Sequence, residues 1–194
     1  MTSRPPAGPG DAADTVETPA LVLDLDVFEA NLDAMAAWAA RAGLRLRPHA
    51  KSHKCSAIAL AQLARGAVGV CCQTLGEAEA MVAAGVPDVL VTNTLVHPAK
   101  LERLARLSRT ARIGLLFDHA EQIRRAGEAF AKAGGRCDAY VEVEVGSMRS
   151  GVAGPDRVLD LLRALGRHPG LRFAGIQAYH GRAQHLRAPG ERAE

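Results

Sequence analysis

The sequence predicts an α/β chain folded as a partial (β/α)8 TIM barrel, truncated after about six strands. Three observations carry this reading. Short β-prone runs alternate with helical patterns in steps of about 20 to 35 residues, a spacing that suits barrel units. Several runs place polar residues at every second position. Polar residues also recur at or just past the ends of those runs, where barrels build their sites.

Taken in order, residues 1–17 read as a disordered leader, with Pro5, Pro6, Gly8, Pro9 and Gly10 among several acids. The incomplete barrel domain is expected over 18–194. Residues 19–24 are a short opening β-prone run, and Asp26 with Glu29 marks a helix start. Phe28, Leu32, Met35, Ala36 and Ala39 then fall at helical spacing, with Gly43 as the stop. Residues 44–50 predict a strand, followed by a helix that ends near Gly66. Residues 67–73 predict another strand, and Thr74 with Glu77 forms a capping box for a helix up to Gly85. Further strands fall at 88–92, 112–117, 139–145 and 172–179, with helical patterns between them, as at 98–107 and 156–165. Residues 187–194 read as the start of a helix, so the barrel is expected to be incomplete within this chain, and unpaired strand edges are expected to be costly. A doubly wound open sheet is the alternative, although no Gly-x-Gly-x-x-Gly follows the first strand.

Composition narrows the function classes. Hydrophobic residues make up 48% and aromatics only 4%, so Leu, Val and Ala must build the core. A formal charge of +3 without a basic block argues against nucleic-acid or membrane partners. No signal peptide and no bilayer-length apolar run is present, so a cytoplasmic location is expected. Cys55, Cys71, Cys72 and Cys137 match no zinc spacing and read as buried free thiols of a reducing cytosol.

The alternation within strands is the most informative local feature. Arg45, Arg47, His49 and Lys51 share one face of their run, Glu142 and Glu144 share another, and Gln177 pairs with Tyr179 on a third. Both faces of a barrel strand are covered, so these cations and carboxylates are expected to pair inside. Lys51, Gln73, Asn93, Arg149, Tyr179 and His180 lie at or past strand ends. Lys51 stands out, because Arg47, His49, His53 and Lys54 surround it in sequence and neighbouring cations favour the neutral amine of Schiff-base chemistry. A solvated lysine at a helix start is the alternative at this level.

The segment Arg47-Pro-His-Ala-Lys-Ser-His-Lys-Cys55 closely resembles the cofactor-lysine segment of the family of D-threonine aldolases, D-3-hydroxyaspartate aldolases and metal-activated D-serine dehydratases. Thr18-Pro-Ala-Leu-Val-Leu-Asp24, Gly69-Val-Cys-Cys-Gln73, Val141-Glu-Val-Glu-Val-Gly146, Arg149-Ser-Gly-Val152, Phe173-Ala-Gly-Ile-Gln-Ala-Tyr-His-Gly181 and Gln184-His185 extend the likeness from Thr18 to the last residue. The family shares its barrel with the N-terminal domain of alanine racemase, which implies that barrel type here. The resemblance implies that Lys51 forms a Schiff base with pyridoxal 5'-phosphate. It places Arg149 near the cofactor's phenolic oxygen, and Gln73 and Tyr179 in the cofactor pocket. His180 is implied to hold the substrate or the cofactor, and His185 to act as base on the substrate's β-hydroxyl. The loop Gly146-Ser-Met-Arg149, Ser150 in place of a common cysteine, and the neighbours of Asn93 depart from the family pattern, which bears on the substrate.

The function so implied is a pyridoxal-phosphate-dependent lyase cleaving D-β-hydroxy amino acids to glycine plus an aldehyde. The dehydratase reaction of the same family is the first alternative. A non-catalytic pyridoxal-phosphate carrier is the second, and a cofactor-free lysine aldolase the third. The family's remaining strands would supply most of the phosphate cradle. Its C-terminal β-domain would supply a divalent metal site for Mn, Mg or Zn, so a metal is expected only in a complete protein. The substrate is expected to be a small D-amino acid, the complete protein a monomer or homodimer, and the 194-residue chain alone a poor catalyst.

Overall fold

The computed structural model describes residues 7–192. Five parallel strands form one sheet in sequential order: β1 (Val70–Cys72), β2 (Asp88–Val91), β3 (Arg112–Phe117), β4 (Cys137–Val143) and β5 (Leu171–Ala178). A helix precedes each strand: α2 (Ser56–Ala64), α3 (Leu75–Ala83), α4 (Pro98–Leu107), α5 (Ala120–Ala133) and α6 (Pro155–Leu165). Sequential, all-parallel pairing with helical crossovers is the arrangement of a barrel wall.

The expected strand at 44–50 is extended but contributes only one isolated bridge, His49 with Cys71. Its backbone still accepts from β1 and the residues before it, through Val68 N to Leu46 O (2.9 Å) and Cys71 N to Pro48 O (2.7 Å). Pro48 has no N–H to return, which breaks the ladder one residue before His49. The segment is therefore the first barrel stave without being a regular strand, and counting it gives the six expected from Leu44 onward.

The opening run at 19–24 forms no strand, and Leu21, Val22 and Leu23 are exposed. An apolar extended run needs a neighbouring strand to pair with, and none of the described residues supplies one. Helix α1 (Leu25–Arg41) starts two residues earlier than Asp26 and Glu29 suggested, because the Asp24 carboxylate accepts from Val27 N at 3.0 Å. Among its residues only Ala39 is buried. Residues 1–6 of the expected leader lie outside the described residues, and Ala13–Thr15 forms one 3-10 turn.

Period-two alternation sorts the sheet into two faces. Val70, Cys72, Val89, Val91, Ile113, Leu115, Phe117, Ala139 and Val141 pack against the helices, where Leu101, Leu104, Ile123 and Phe130 complete the core. The opposite face, the barrel interior, carries Cys71, Leu90, Gly114, Leu116, Tyr140 and Glu142. A side chain at Gly114 would come within 2.7 Å of Leu90 and 3.2 Å of Tyr140, so a glycine there makes room for the interior plug.

Alternating charges tie the N-terminal ends of the strands. Arg47 pairs with Asp88 (2.8 Å), Arg112 reaches both Asp88 (3.7 Å) and Asp138 (2.5 Å), and Arg172 pairs with Asp138 (2.6 Å). Asp138 is buried and is compensated by two guanidinium groups. This row leaves the C-terminal ends of the strands free for chemistry.

Candidate active site

A cleft of about 180 Å3 opens on the barrel-interior face toward the C-terminal strand ends. Lys51, Gln73, Arg149 and Tyr179 line it together, along with Arg47, His49, Cys71, Thr92, Leu116, Glu142 and Gln177. Four residues chosen from strand-end position and resemblance thus meet in one place. The other three do not line it. His180 packs its imidazole against the next loop, about 3.1 Å from where a Gly146 side chain would begin. His185 ends the 3-10 turn Gly181–His185 and is exposed, with Gln184 as its side-chain neighbour at 3.5 Å. Asn93 also stays outside, its side chain accepting from Thr94 N at 3.0 Å.

Lys51 sits in a single 3-10 turn, Ala50–Ser52, capped by His49, whose Nδ1 accepts from Lys51 N at 3.3 Å. Accepting there leaves Nε2 as the protonated nitrogen of a neutral ring, and it meets Thr92 Oγ1 at 2.9 Å. Thr92 Oγ1 in turn donates to Cys72 O at 3.3 Å. His49 therefore links the Lys51 turn to β1 and β2. Sequence reasoning saw His49 only as a cation and missed Thr92, which carries no pattern signal by itself.

The expected cationic surroundings of Lys51 are largely neutralised. Arg47 is spent on Asp88. Burial, and then the Lys51 charge, holds His49 below its ordinary value. Burial likewise holds His53 down. Cys71 beside them is pushed up to about 11 by burial and stays a thiol. Among the described residues all four cysteines are free, with Cys72 and Cys137 buried and Cys55 and Cys71 half-buried.

These two histidines give the fold a pH dependence. Their folded-state values lie below the ordinary 6.5, so the unfolded chain takes up protons first as pH falls. Their contribution is complete above about pH 6.5 and is lost as pH drops through the lowered folded values. Urea denaturation at steps from pH 7.5 down to 5.5 should show stability falling, and a His49→Gln, His53→Gln double variant should show a flatter slope. Equal slopes in the two proteins would refute the assignment.

Arg149 is carried by the loop after β4. The Glu144 carboxylate organises that loop. Backbone N–H groups of Met148 first, then Gly146, Arg149 and Ser147, hold it below the usual carboxylate range. The Arg149 guanidinium lies over the Tyr179 ring at 4.8 Å and faces Glu142 at 3.8 Å. Gly181 allows the Tyr179 hydroxyl to fold back, since any Cβ there would meet it at 2.7 Å. Among the described residues no cluster of His, Cys, Asp and Glu is able to hold a metal ion.

Residues 23–193 match the family described as the alanine racemase N-terminal domain. The chain belongs to that family. A D-threonine aldolase from Arthrobacter sp. is 52% identical over 190 residues, covering 98% of this chain and 50% of that protein. The crystal structure of D-threonine aldolase from Filomicrobium marinum superimposes with a TM-score of 0.95 at 52% identity, over 98% of this chain and 52% of that one. A D-threo-3-hydroxyaspartate dehydratase from Delftia sp. is 34% identical over 90% of this chain and 46% of its own length. The chain spans about half the length of the curated relatives it matches. The barrel wall of this family member is thus partial within the chain, as its open order of strands shows. Among the described residues no helix is long and apolar enough to cross a membrane.

Proposed function

We propose that this chain is the pyridoxal-phosphate-binding part of a lyase acting on D-β-hydroxy amino acids, with retro-aldol cleavage to glycine and an aldehyde as its reaction. The observation that carries the reading is the convergence of Lys51, Gln73, Arg149 and Tyr179 on one cleft at the strand ends. The donor set fits the cofactor: a primary amine for its aldehyde, a guanidinium for its phenolic oxygen, and an aromatic and an amide side chain as walls. The names of the aldolase relatives supply the substrate class.

When bound, pyridoxal phosphate supplies an electron sink beside the amino acid's α-carbon. The protein's part is placement and proton transfer. Lys51 offers its amine from a turn fixed by His49 and Thr92. Arg149 favours the ionised phenolic oxygen. His185 takes the proton of the β-hydroxyl, and Cα–Cβ cleavage follows. His180, next to the Arg149 loop, contacts the substrate from the rim. A divalent metal would acidify the hydroxyl in the complete protein. The described residues offer no ligand cluster for one, so no step assigned to this chain passes through it.

The dehydratase reaction is the second reading, favoured by one observation: Lys51 lines the cleft whereas His185 does not. Lys51 itself would then remove the α-proton, and the hydroxyl would leave.

Borohydride reduction in the presence of pyridoxal phosphate, followed by peptide mapping, tests the cofactor assignment. The label is expected on Lys51. A label on Lys54 or Lys100 instead would remove the basis of the reading.

A further inference from the structure

Glu142 is a buried carboxylate on β4, only 3% exposed, and it lines the same cleft as Lys51. Its one ion-pair partner among the described residues is Arg149, at 3.8 Å, beyond ordinary hydrogen-bond length. Arg149 is half-exposed; among the described residues its guanidinium has one ion-pair partner, the Glu142 carboxylate, and it lies over the Tyr179 ring face. A buried carboxylate costs several kcal/mol unless paired, so a loosely compensated one needs a reason. The other charged groups near it are Asp118 after β3 and Glu144 just after β4, both repulsive, with Lys51, His49 and Arg47 elsewhere around the cleft. Burial raises the carboxyl above its ordinary range, opposed by a hydrogen bond from Ser150 and by Arg149. The flexible Arg149 side chain thus has one fixed electrostatic anchor, set deeper in the cleft than itself.

We propose that Glu142 is a positioning residue that holds the Arg149 guanidinium against the Tyr179 ring, in the orientation from which it meets the cofactor's phenolic oxygen. The proposal rests on the cofactor reading above. It makes a prediction whose sign separates positioning from a simple charge effect. A guanidinium at the phenolic oxygen opposes protonation of the neighbouring Schiff-base nitrogen, so removing Arg149 raises that nitrogen's pKa. If Glu142 acts by holding Arg149, removing Glu142 also raises it. If Glu142 acts only through its own negative charge, removing it lowers the pKa, because an anion favours the protonated nitrogen.

The experiment titrates the visible absorbance of the chain loaded with pyridoxal phosphate, with Glu142→Gln, Glu142→Leu, Arg149→Gln and the double variant Glu142→Leu, Arg149→Gln. Borohydride mapping to Lys51 in the parent protein is done first and tests the cofactor reading separately. Upward shifts are expected for Arg149→Gln, on the order of one unit for a charge at this range, and for both Glu142 variants. In the double variant the Glu142 change should add nothing, the non-additivity of one residue acting through another. A downward shift, no shift, or a full additive shift overturns the proposal even when Lys51 is labelled. Failure to label Lys51 overturns the cofactor reading and the proposal with it. Urea midpoints of the Glu142 variants exclude unfolding as the cause, since an amide or leucine replaces an under-paired buried charge with a group of similar size.

Discussion

In the complete protein, on the proposed reading, replacing Lys51 with Ala is expected to abolish covalent capture of pyridoxal phosphate and to lower cleavage of D-threonine on the order of a thousand-fold or more. The side chain has no substitute nearby. Lys54 is three residues on, in a left-handed conformation (φ 51°), and does not line the cleft. Lys51 is set differently. Its turn is the direct continuation of the 44–50 stave, pinned to β1 by Cys71 N on Pro48 O and to β2 through His49 and Thr92. That anchoring places the amine at the C-terminal mouth, opposite the charge row at the other end of the strands. Lys54→Ala should therefore keep both capture and turnover. Visible absorbance with pyridoxal phosphate and aldehyde release report the two quantities. A Lys51→Ala protein that keeps the absorbance band, or a Lys54→Ala protein that loses it, would overturn the assignment.

The parts of the fold legible in the sequence were those whose signals are local. Helix α4 begins where Pro98 can occupy a first turn without losing a hydrogen bond, and its Leu101, Leu104 and Ala105 follow at helical spacing. Strand β3 is a continuous apolar run bounded by Arg112, and its bounds match the expected ones. Half of the Thr74 capping box forms: Glu77 N donates to Thr74 Oγ1 at 3.2 Å, while the Glu77 carboxylate accepts from Gln73 N at 2.7 Å, one residue before the cap. Elements whose form depends on distant partners were not legible. Residues 19–24 have strand composition yet no neighbour within the described chain. The 44–50 stave lost its regular ladder to one missing N–H at Pro48. The site divides the same way. Period-two faces placed Lys51, Glu142, Gln177 and Tyr179 on the interior. Nothing local shows that Arg47 spends its charge on Asp88, or that burial keeps His49 neutral. Those facts come from packing between strands far apart in sequence.

On the proposed aldolase reading, His185 is the residue whose loss separates the two reactions. In the complete protein, its replacement with Ala or Gln is expected to lower retro-aldol cleavage by about a hundred- to ten-thousand-fold, the usual contribution of a positioned base. The cofactor spectrum should be unchanged, because Lys51, Arg149 and Tyr179 lie in the cleft and His185 does not. An imidazole is a common general base for removal of a hydroxyl proton. The turn Gly181–His185 follows β5 within three residues and so hangs from the same end of the sheet as Lys51. Its histidine is exposed, so the base role requires that turn to present the ring over the cleft when substrate is bound. The dehydratase reaction makes no such demand. It begins with loss of the α-proton, which Lys51 can take from inside the cleft, and it ends in a keto acid with ammonia released. Aldehyde and keto-acid formation from D-threonine and D-serine, measured for the parent protein and both His185 variants, separate the two. Aldehyde from the parent that disappears in the variants supports the aldolase. Keto acid as the main product, or cleavage that survives the loss of His185, transfers the assignment to the dehydratase and to Lys51 as the base.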